Sequence, residues 1–153
     1  MTWWNLLVGV VVVIGVILLW IRERLRATAF RRLARRLGFQ YMGKAKLPEA
    51  LSLYGTPFNH AWFIENQIDG NRGATRVIAF DCQIGKEYSQ VQRTVIAVHA
   101  PLDAISKLLA GSRFTVSSSA AWTLVYEPFD DPSRNTALMS VAELAACIEV
   151  ISG

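Results

Sequence analysis

Two histidines and two cysteines are the side chains of this chain whose types best suit metal binding or nucleophilic chemistry. They are His60, Cys82, His99 and Cys147, and no two of them are close in sequence. Structural zinc sites use paired ligands a few residues apart, so this spacing does not predict a metal site. A Cys–His nucleophilic pair is an open alternative, because such partners meet in space rather than in sequence. Each cysteine lies in an apolar run, where burial is expected to raise the thiol pKa and leave the thiol inert.

Acidic side chains form the other candidate cluster. Glu65, Asp69 and Asp81 lie in neighbouring strand-like segments and could meet across a sheet. Carboxylates are mostly exposed in folded proteins, so a solvated sheet face is the favoured interpretation over a general acid–base pair. The glycine-containing segment 70–73 lacks the Gly-Lys-Ser/Thr ending of a phosphate-binding loop and predicts a hairpin turn. We therefore expect no cofactor and no metal, and a non-enzymatic role is favoured.

The N-terminal 21 residues form the most distinctive segment of the chain. From Leu6 to Ile21 every residue is apolar or aromatic apart from two glycines. A helix from Trp3 to Trp20 would span roughly 25 Å, close to the roughly 30 Å hydrocarbon core of a bilayer. Indole rings prefer the membrane interface, and here Trp3 and Trp4 lie at one end and Trp20 at the other. Residues 1–21 are therefore predicted to be a single-pass transmembrane anchor.

Basic residues are concentrated directly after this segment. From Arg22 to Lys46 there are nine basic residues and one acidic residue, a net charge of +8. From Leu47 to Gly153 there are seven basic and eleven acidic residues, a net charge of −4. Basic residues that flank a span are retained on the cytoplasmic side, so we expect the N-terminus outside and the C-terminal domain in the cytoplasm. Both thiols should then stay reduced, with a disulfide as the alternative, and nucleic acid is not an expected partner.

A cleaved signal peptide is the alternative to a retained anchor. Such a peptide has a basic region before its apolar run and a small-residue cleavage site directly after it. Here no basic side chain precedes the apolar run, and the A-x-A match at 27–29 follows a charged stretch. We therefore expect the anchor to remain on the mature chain.

Residues 22–38 are predicted to form a basic juxtamembrane amphipathic helix that ends at Gly38. Its apolar positions have the spacing of one helix face and are Phe30, Leu33, Ala34 and Leu37. Such a helix could lie on a bilayer with anionic headgroups, and the alternative is an ordinary domain helix packed on a sheet. We favour a mixture, in which the apolar face packs on the protein and the arginines face the lipid phosphates. The predicted membrane-interface residues are Trp3, Trp4, Trp20, Arg22, Arg24, Arg26, Arg31, Arg32, Arg35 and Arg36.

Residues 39–153 are predicted to form an α+β domain, in which a small antiparallel sheet is closed by a C-terminal helix. The predicted strands cover 39–41, 60–68, 74–84, 88–99, 113–116 and 121–127, with turns at 69–73, 85–87 and 117–119. The predicted helices cover 47–54, 102–110 and the segment after a capping-box sequence at Ser140, which a polar loop at 128–135 precedes. Trp122, Leu124 and Tyr126 share one face of a strand, and we expect the terminal helix to cover that face.

Four segments of the chain are distinctive enough to compare with known proteins. They are LARRLGF at 33–39, VIAFD at 77–81, RTVIAV at 93–98 and WTLVYEP at 122–128. Together they resemble a loose group of bacterial single-pass inner-membrane proteins with a small uncharacterised cytoplasmic α+β domain. The resemblance touches roughly half of the chain. It implies an N-terminal anchor and an α+β domain, and it brings no catalytic residues.

The anchor, the basic helix and the lack of a recognisable reaction centre favour a membrane-anchored interaction module. Such a module would be an accessory subunit of a bacterial inner-membrane complex, and its expected partner is a membrane protein or a second copy of this chain. A lipid- or small-ligand-binding domain at the cytoplasmic membrane face is the first alternative function. An enzyme is the second.

Overall fold

The computed structural model describes residues 3–44, 46–49, 51–85, 91–129 and 138–152, with Trp62 described by its backbone. Within these residues the chain forms three helices and six strands. In chain order these are α1 (Trp3–Leu37), β1 (Gln40–Gly43), β2 (Ala61–Arg72), β3 (Thr75–Ile84), β4 (Val91–Val98), α2 (Leu102–Leu108), β5 (Thr115–Ser119), β6 (Trp122–Tyr126) and α3 (Val141–Ser152). The α+β class is confirmed, with a long apolar N-terminal helix, an antiparallel sheet and a C-terminal helix.

Helix α1 runs without interruption from the apolar N-terminal segment into the domain. Its apolar part is long and apolar enough to cross a membrane and is exposed on all sides within the described structure. Further along, Phe30, Leu33 and Ala34 are buried, which confirms the predicted apolar stripe. The helix ends at Leu37, and Gly38 follows it with a φ of +72° that glycine readily adopts. The predicted boundary between anchor and juxtamembrane helix therefore falls inside one helix.

The six strands form one antiparallel sheet in the order β1-β2-β3-β4-β6-β5. The predicted turn at 69–73 is wrong, because residues 69–72 pair with residues 75–78 and only Gly73 and Ala74 form the turn. The predicted turn at 117–119 is also wrong, since these serines pair with residues 122–124 of β6. In both places, pairing with the next strand outweighs the preference of the individual residues for turns.

The sheet has a different cover on each face. The helices cover the face that carries Val77, Ala79, Ile96 and Val98, together with Phe30 of α1 and Ile148 of α3 in one apolar cluster. The opposite face carries Phe80, Trp122, Leu124 and Tyr126, and Leu51 and Phe58 from the segment between β1 and β2 cover it. The expectation that α3 covers Trp122 and Tyr126 is therefore wrong, because α3 lies on the other face.

Two predictions about helices had different outcomes. The described residues of segment 47–54 form an irregular segment with turns at Glu49 and Tyr54 instead of the predicted helix. Leu51 and Phe58 are each inserted into the core, and the Leu51 amide donates to the Pro48 carbonyl at 2.8 Å. The capping box is confirmed, because the Ser140 amide donates to Glu143 Oε2 at 3.0 Å and the Glu143 amide donates to Ser140 Oγ at 3.2 Å. The turn at 86–87 and most of the polar loop at 128–135 lie outside the described residues.

Candidate membrane-proximal site

Arg26 is turned toward the sheet and binds a buried carboxylate. Its Nε and Nη2 atoms donate to Oδ2 and Oδ1 of Asp81 at 2.6 and 2.8 Å. Nη2 also donates to Thr94 Oγ1 at 2.9 Å and to the Met139 carbonyl at 3.1 Å. The side chains of Arg26 and Asp81 are only 16% and 4% exposed. This bidentate ion pair fastens α1 to strand β3.

Further hydrogen bonds satisfy the Asp81 carboxylate. Thr94 Oγ1 donates to Oδ1 at 2.7 Å, and Asn66 Nδ2 donates to Oδ2 at 2.9 Å. Tyr41 OH in turn donates to Asn66 Oδ1 at 3.2 Å. A buried charge is tolerated when it is paired and hydrogen-bonded in this way. The expectation of a solvated sheet face is therefore wrong for Asp81.

A β-bulge in β2 brings Asn66 to this network. The register of β2 against β3 shifts between Glu65 and Ile68, so two residues of β2 lie opposite Phe80 alone. Asn66 has a φ of +52°, a left-handed conformation that asparagine adopts more readily than most residues. Bulges re-aim side chains next to functional sites. This bulge was not predicted, because a bulge leaves no periodic pattern in the sequence.

The predicted carboxylate cluster contains two residues rather than three. Glu65 and Asp81 are direct partners across β2 and β3. Asp69 lies on the opposite sheet face, where Arg76 Nη2 donates to it at 2.7 Å. Burial raises the pKa of Glu65, the negative charges of Asp81 and Glu23 raise it further, and Lys44 and Arg26 oppose the rise.

A charged cavity of about 210 Å³ lies between α1 and the edge formed by β1 and β2. Its α1 wall carries Trp20, Arg24 and Arg31, and its sheet wall carries Tyr41, Lys44 and Glu65. The helical positions are spaced four and seven residues apart, which places them on one face of α1. The cavity therefore opens beside the end of the apolar part of the helix.

Each of the three cations around this cavity lies over an aromatic ring. The Arg24 guanidinium is 4.9 Å from the Trp20 ring, Arg31 is 5.0 Å from Tyr41, and the Lys44 ammonium is 4.7 Å from Phe63. Such contacts orient a cation without neutralising its charge. Among the ion pairs between described residues, none involves these three cations. Glu23 and Glu65 line the same cavity, so its charged side chains are three cations and two carboxylates.

The structure places the predicted membrane-interface residues in two groups. The first group is Arg26 alone, which is largely buried and forms an ion pair with Asp81. The exposed group is Trp3, Trp4, Trp20, Arg22, Arg24, Arg31, Arg32, Arg35 and Arg36. Within this group, Arg36 forms an exposed ion pair of 3.1 Å with Glu149, and exposed pairs of this kind contribute little to stability.

The two thiols are buried and free, as the sequence predicted. Burial raises the pKa of Cys82 to about 12 and that of Cys147 to about 11. Cys82 pairs with Arg93 of β4 across the sheet. His99 follows Arg93 by six residues along the chain, which corresponds to about 20 Å in an extended strand. Cys147 belongs to the cluster on the other sheet face. The structure therefore does not bring His99 beside Cys82, and it places Cys147 on the opposite sheet face from Trp122, whose ring His99 contacts.

Within the described parts of the chain, no group of three or more His, Cys, Asp or Glu residues is arranged to hold a metal ion. Comparisons of the whole chain with protein-family models, with curated proteins and with solved structures found no match.

Proposed function

We propose that this chain is a membrane-anchored, non-enzymatic interaction module of a bacterial inner membrane. In this proposal α1 crosses the bilayer with its N-terminus outside and carries the sheet domain at the cytoplasmic face. The partner is a membrane protein or a second copy of the chain, and the chain acts as an accessory subunit of that assembly.

The observation that carries the proposal is the continuity of α1 between the apolar segment and the domain core. The helix contributes Phe30, Leu33 and Ala34 to the core, and the Arg26–Asp81 pair fixes it to β3. A flexible linker would let the domain move freely beneath the membrane. Here the domain is attached rigidly to the apolar helix. One surface of the domain can therefore keep a constant orientation toward a partner in the membrane.

In the proposal, this attachment of the domain to α1 determines which end of the strands faces the bilayer. Asp81 lies beside Arg26, whereas Phe39, just beyond the end of α1, lies over Gly70, which pairs with Val77. Strand β3 therefore runs antiparallel to α1. Val77 lies near the C-terminal end of α1, and Asp81 lies closer to the apolar segment. In the proposal, the end of β3 at Ile84 therefore lies nearest the bilayer.

The arginines divide by their distance from the apolar segment. Arg22 and Arg24 follow Trp20 within about 6 Å along the helix axis, at the level of the lipid headgroups. Arg31 to Arg36 follow it by about 16 to 24 Å, further than the Debye length of about 8 Å at physiological salt. In the proposal Arg22 and Arg24 therefore contact headgroups directly. The more distant arginines contribute to the charge that retains the domain in the cytoplasm.

The Arg26–Asp81 pair supports retention of the anchor over its removal as a signal peptide. Cleavage after the A-x-A match at 27–29 would separate Arg26 from Asp81 and leave a buried carboxylate without its cation. Loss of one partner of a buried pair typically costs about 3–5 kcal/mol. A mature domain that began at Phe30 would therefore be strongly destabilised.

Affinity purification of the full chain from native membranes tests this proposal. A tag after Gly153 is used, the protein is extracted in mild detergent, and intact-mass and peptide analysis follow. We expect an uncleaved chain and a co-purifying partner in fixed stoichiometry, or a defined oligomer of the chain. Untagged membranes provide the control. A chain that begins at Phe30, or a purified monomer without any partner, would contradict the proposal.

A further inference from the structure

We propose that the cavity between α1 and the β1–β2 edge binds the headgroup of a membrane lipid that carries both a phosphate and a primary amine. Arg24 and Lys44 would hold the phosphate, and Glu65 would accept hydrogen bonds from the amine. The inference rests on the proposed insertion of α1 in the membrane and goes beyond the interaction module by assigning a lipid-binding site.

The position of the cavity argues for a lipid as the occupant. Trp20 lines the cavity and also marks the end of the apolar segment. When α1 crosses the bilayer, this indole lies at the interface, where headgroups are concentrated. A lipid whose acyl chains run beside α1 can thus insert its headgroup without leaving the membrane. A soluble ligand would have to enter between the domain and the bilayer.

The cations provide the phosphate site. Arg24 is held over Trp20 at 4.9 Å and Lys44 over Phe63 at 4.7 Å, so their side chains are oriented before a ligand arrives. Neither has an ion-pair partner among the described residues, and both line the cavity. Charge-assisted hydrogen bonds from Arg and Lys are the usual means of holding a phosphate.

Glu65 provides the site for the amine of the lipid headgroup. Its carboxyl lines the same cavity, faces the negative charges of Asp81 and Glu23, and is partly buried. These surroundings raise its pKa, so a positive group beside it would stabilise the ionised carboxylate. A lipid ammonium carried on the phosphate meets this requirement. A purely anionic headgroup would leave Glu65 without a partner.

The walls of the cavity are held in place by the site already described. Tyr41, which carries Arg31 over its ring, donates to Asn66, and Asn66 donates to Asp81. The two walls are thus joined through the Arg26–Asp81 pair. A rigid cavity binds with a smaller loss of conformational entropy than a flexible one.

The experiment uses the full chain in nanodiscs, followed by native mass spectrometry of the protein with its retained lipids. Three discs contain phosphatidylethanolamine, phosphatidylcholine or phosphatidylglycerol in the same background. We expect one phosphatidylethanolamine to be retained about tenfold more than phosphatidylcholine, whose methylated amine cannot donate a hydrogen bond to Glu65. Phosphatidylglycerol, which lacks the amine, should also be retained less.

Matched variants identify the residues responsible. Glu65→Gln should remove the preference for the amine while keeping some retention, whereas Lys44→Gln should weaken retention of all three lipids. Arg35→Gln is the control, because Arg35 is an exposed arginine of α1 outside the cavity wall and too far from Trp20 to contact headgroups. The thermal unfolding temperature of each variant is measured, so that loss of binding can be separated from loss of folding.

The remaining outcomes distinguish this inference from the membrane proposal. Competition by soluble phosphoethanolamine at millimolar concentration would assign the cavity to a soluble ligand and overturn the lipid source. Equal retention of the three lipids, or an unchanged preference in Glu65→Gln, would overturn the inference while membrane insertion stands. Release of the wild-type chain from membranes by alkaline carbonate would contradict insertion itself.

Discussion

Arg26 and Asp81 bring opposite charges into a part of the molecule that water scarcely reaches. Two charges can be buried together only when each offsets the desolvation of the other, and here four donors surround the carboxylate. A pair of this kind contributes little net stability compared with apolar residues, but it defines one position of the helix on the sheet. At the residue scale, this pair sets the register between α1 and the domain.

Substitution of Arg26 tests this role. Arg26→Ala leaves Asp81 buried without its cation, and we expect a loss of about 3 kcal/mol in the free energy of unfolding. Arg26→Lys keeps the charge but not the bidentate geometry, so it should lose less. The measurement is a denaturant titration in detergent, with Arg22→Ala as a control that should change stability by less than about 0.5 kcal/mol.

A double substitution makes the test specific. Because Arg26 and Asp81 interact directly, Arg26→Ala combined with Asp81→Asn should cost clearly less than the sum of the two single changes. Additive costs would show that the two side chains act independently and would refute the proposed clamp.

The buried thiols predict how stability depends on pH. The folded-state pKa of Cys82 is about 12, compared with an ordinary value of 9.0. Above pH 9 the unfolded chain loses this proton while the folded chain keeps it, so stability falls as pH rises through this window. The expected loss is about 1.4 kcal/mol per pH unit for the thiol.

Urea titrations of wild type and Cys82→Ala between pH 8 and 11 check this slope. The variant has no thiol at this position, so its stability should fall less steeply above pH 9. Other groups titrate equally in both proteins. Parallel slopes would mean that the Cys82 thiol ionises as easily in the folded state as in the unfolded state.

At the scale of elements, the junction between α1 and β1 depends on a close approach of two residues. After Gly38 reverses the chain, the Phe39 ring lies directly over Gly70 of β2, where a Cβ atom would overlap the ring. A side chain on residue 70 would therefore push β1 away from β2. This contact explains why a glycine occurs within a regular part of the strand.

Gly70→Ala should consequently destabilise the domain by about 1–3 kcal/mol, the range typical of overpacking. In a Phe39→Ala background the same change should cost much less, because the ring that it would meet is absent. Denaturant titrations of the four proteins form the cycle. An equal cost in both backgrounds would place the strain elsewhere.

The elements with strong periodicity were predictable from the sequence, and those that depend on distant partners were not. The alternation of Ile78, Phe80 and Cys82 predicted the core strand, and Ser140 with Glu143 predicted the start of α3. The bulge at Asn66 and the covering of Trp122 by segment 51–58 depend on contacts between residues far apart in sequence. Their local sequences carry no signal of these contacts.

The same distinction explains what was missed at the site. Arg26 looks like any other arginine of the basic segment, since its partner Asp81 is 55 residues away. The charged cavity combines α1 with β1 and β2, and its two walls meet only in the folded chain. The basic segment was predictable as a pattern, but the separate role of one arginine within it was not.

At the scale of the whole molecule, the central feature is a single helix with two environments. Its apolar part is exposed within the described structure, while its basic part is buried on one face against the sheet and α3. In our account the bilayer surrounds the first part and the cytoplasmic domain surrounds the second. The orientation of the domain relative to the membrane then follows from the helix.

Labelling with a membrane-impermeant maleimide in intact cells tests this account most directly. The native Cys82 and Cys147 are buried, so the wild-type chain should remain unlabelled and serves as the control. Single cysteines are introduced by Thr2→Cys before the apolar segment and by Ser106→Cys on the exposed side of α2. We predict that Thr2→Cys is labelled in intact cells and that Ser106→Cys is labelled only after lysis. Labelling of Ser106→Cys in intact cells would place the domain outside the cytoplasm and contradict the account.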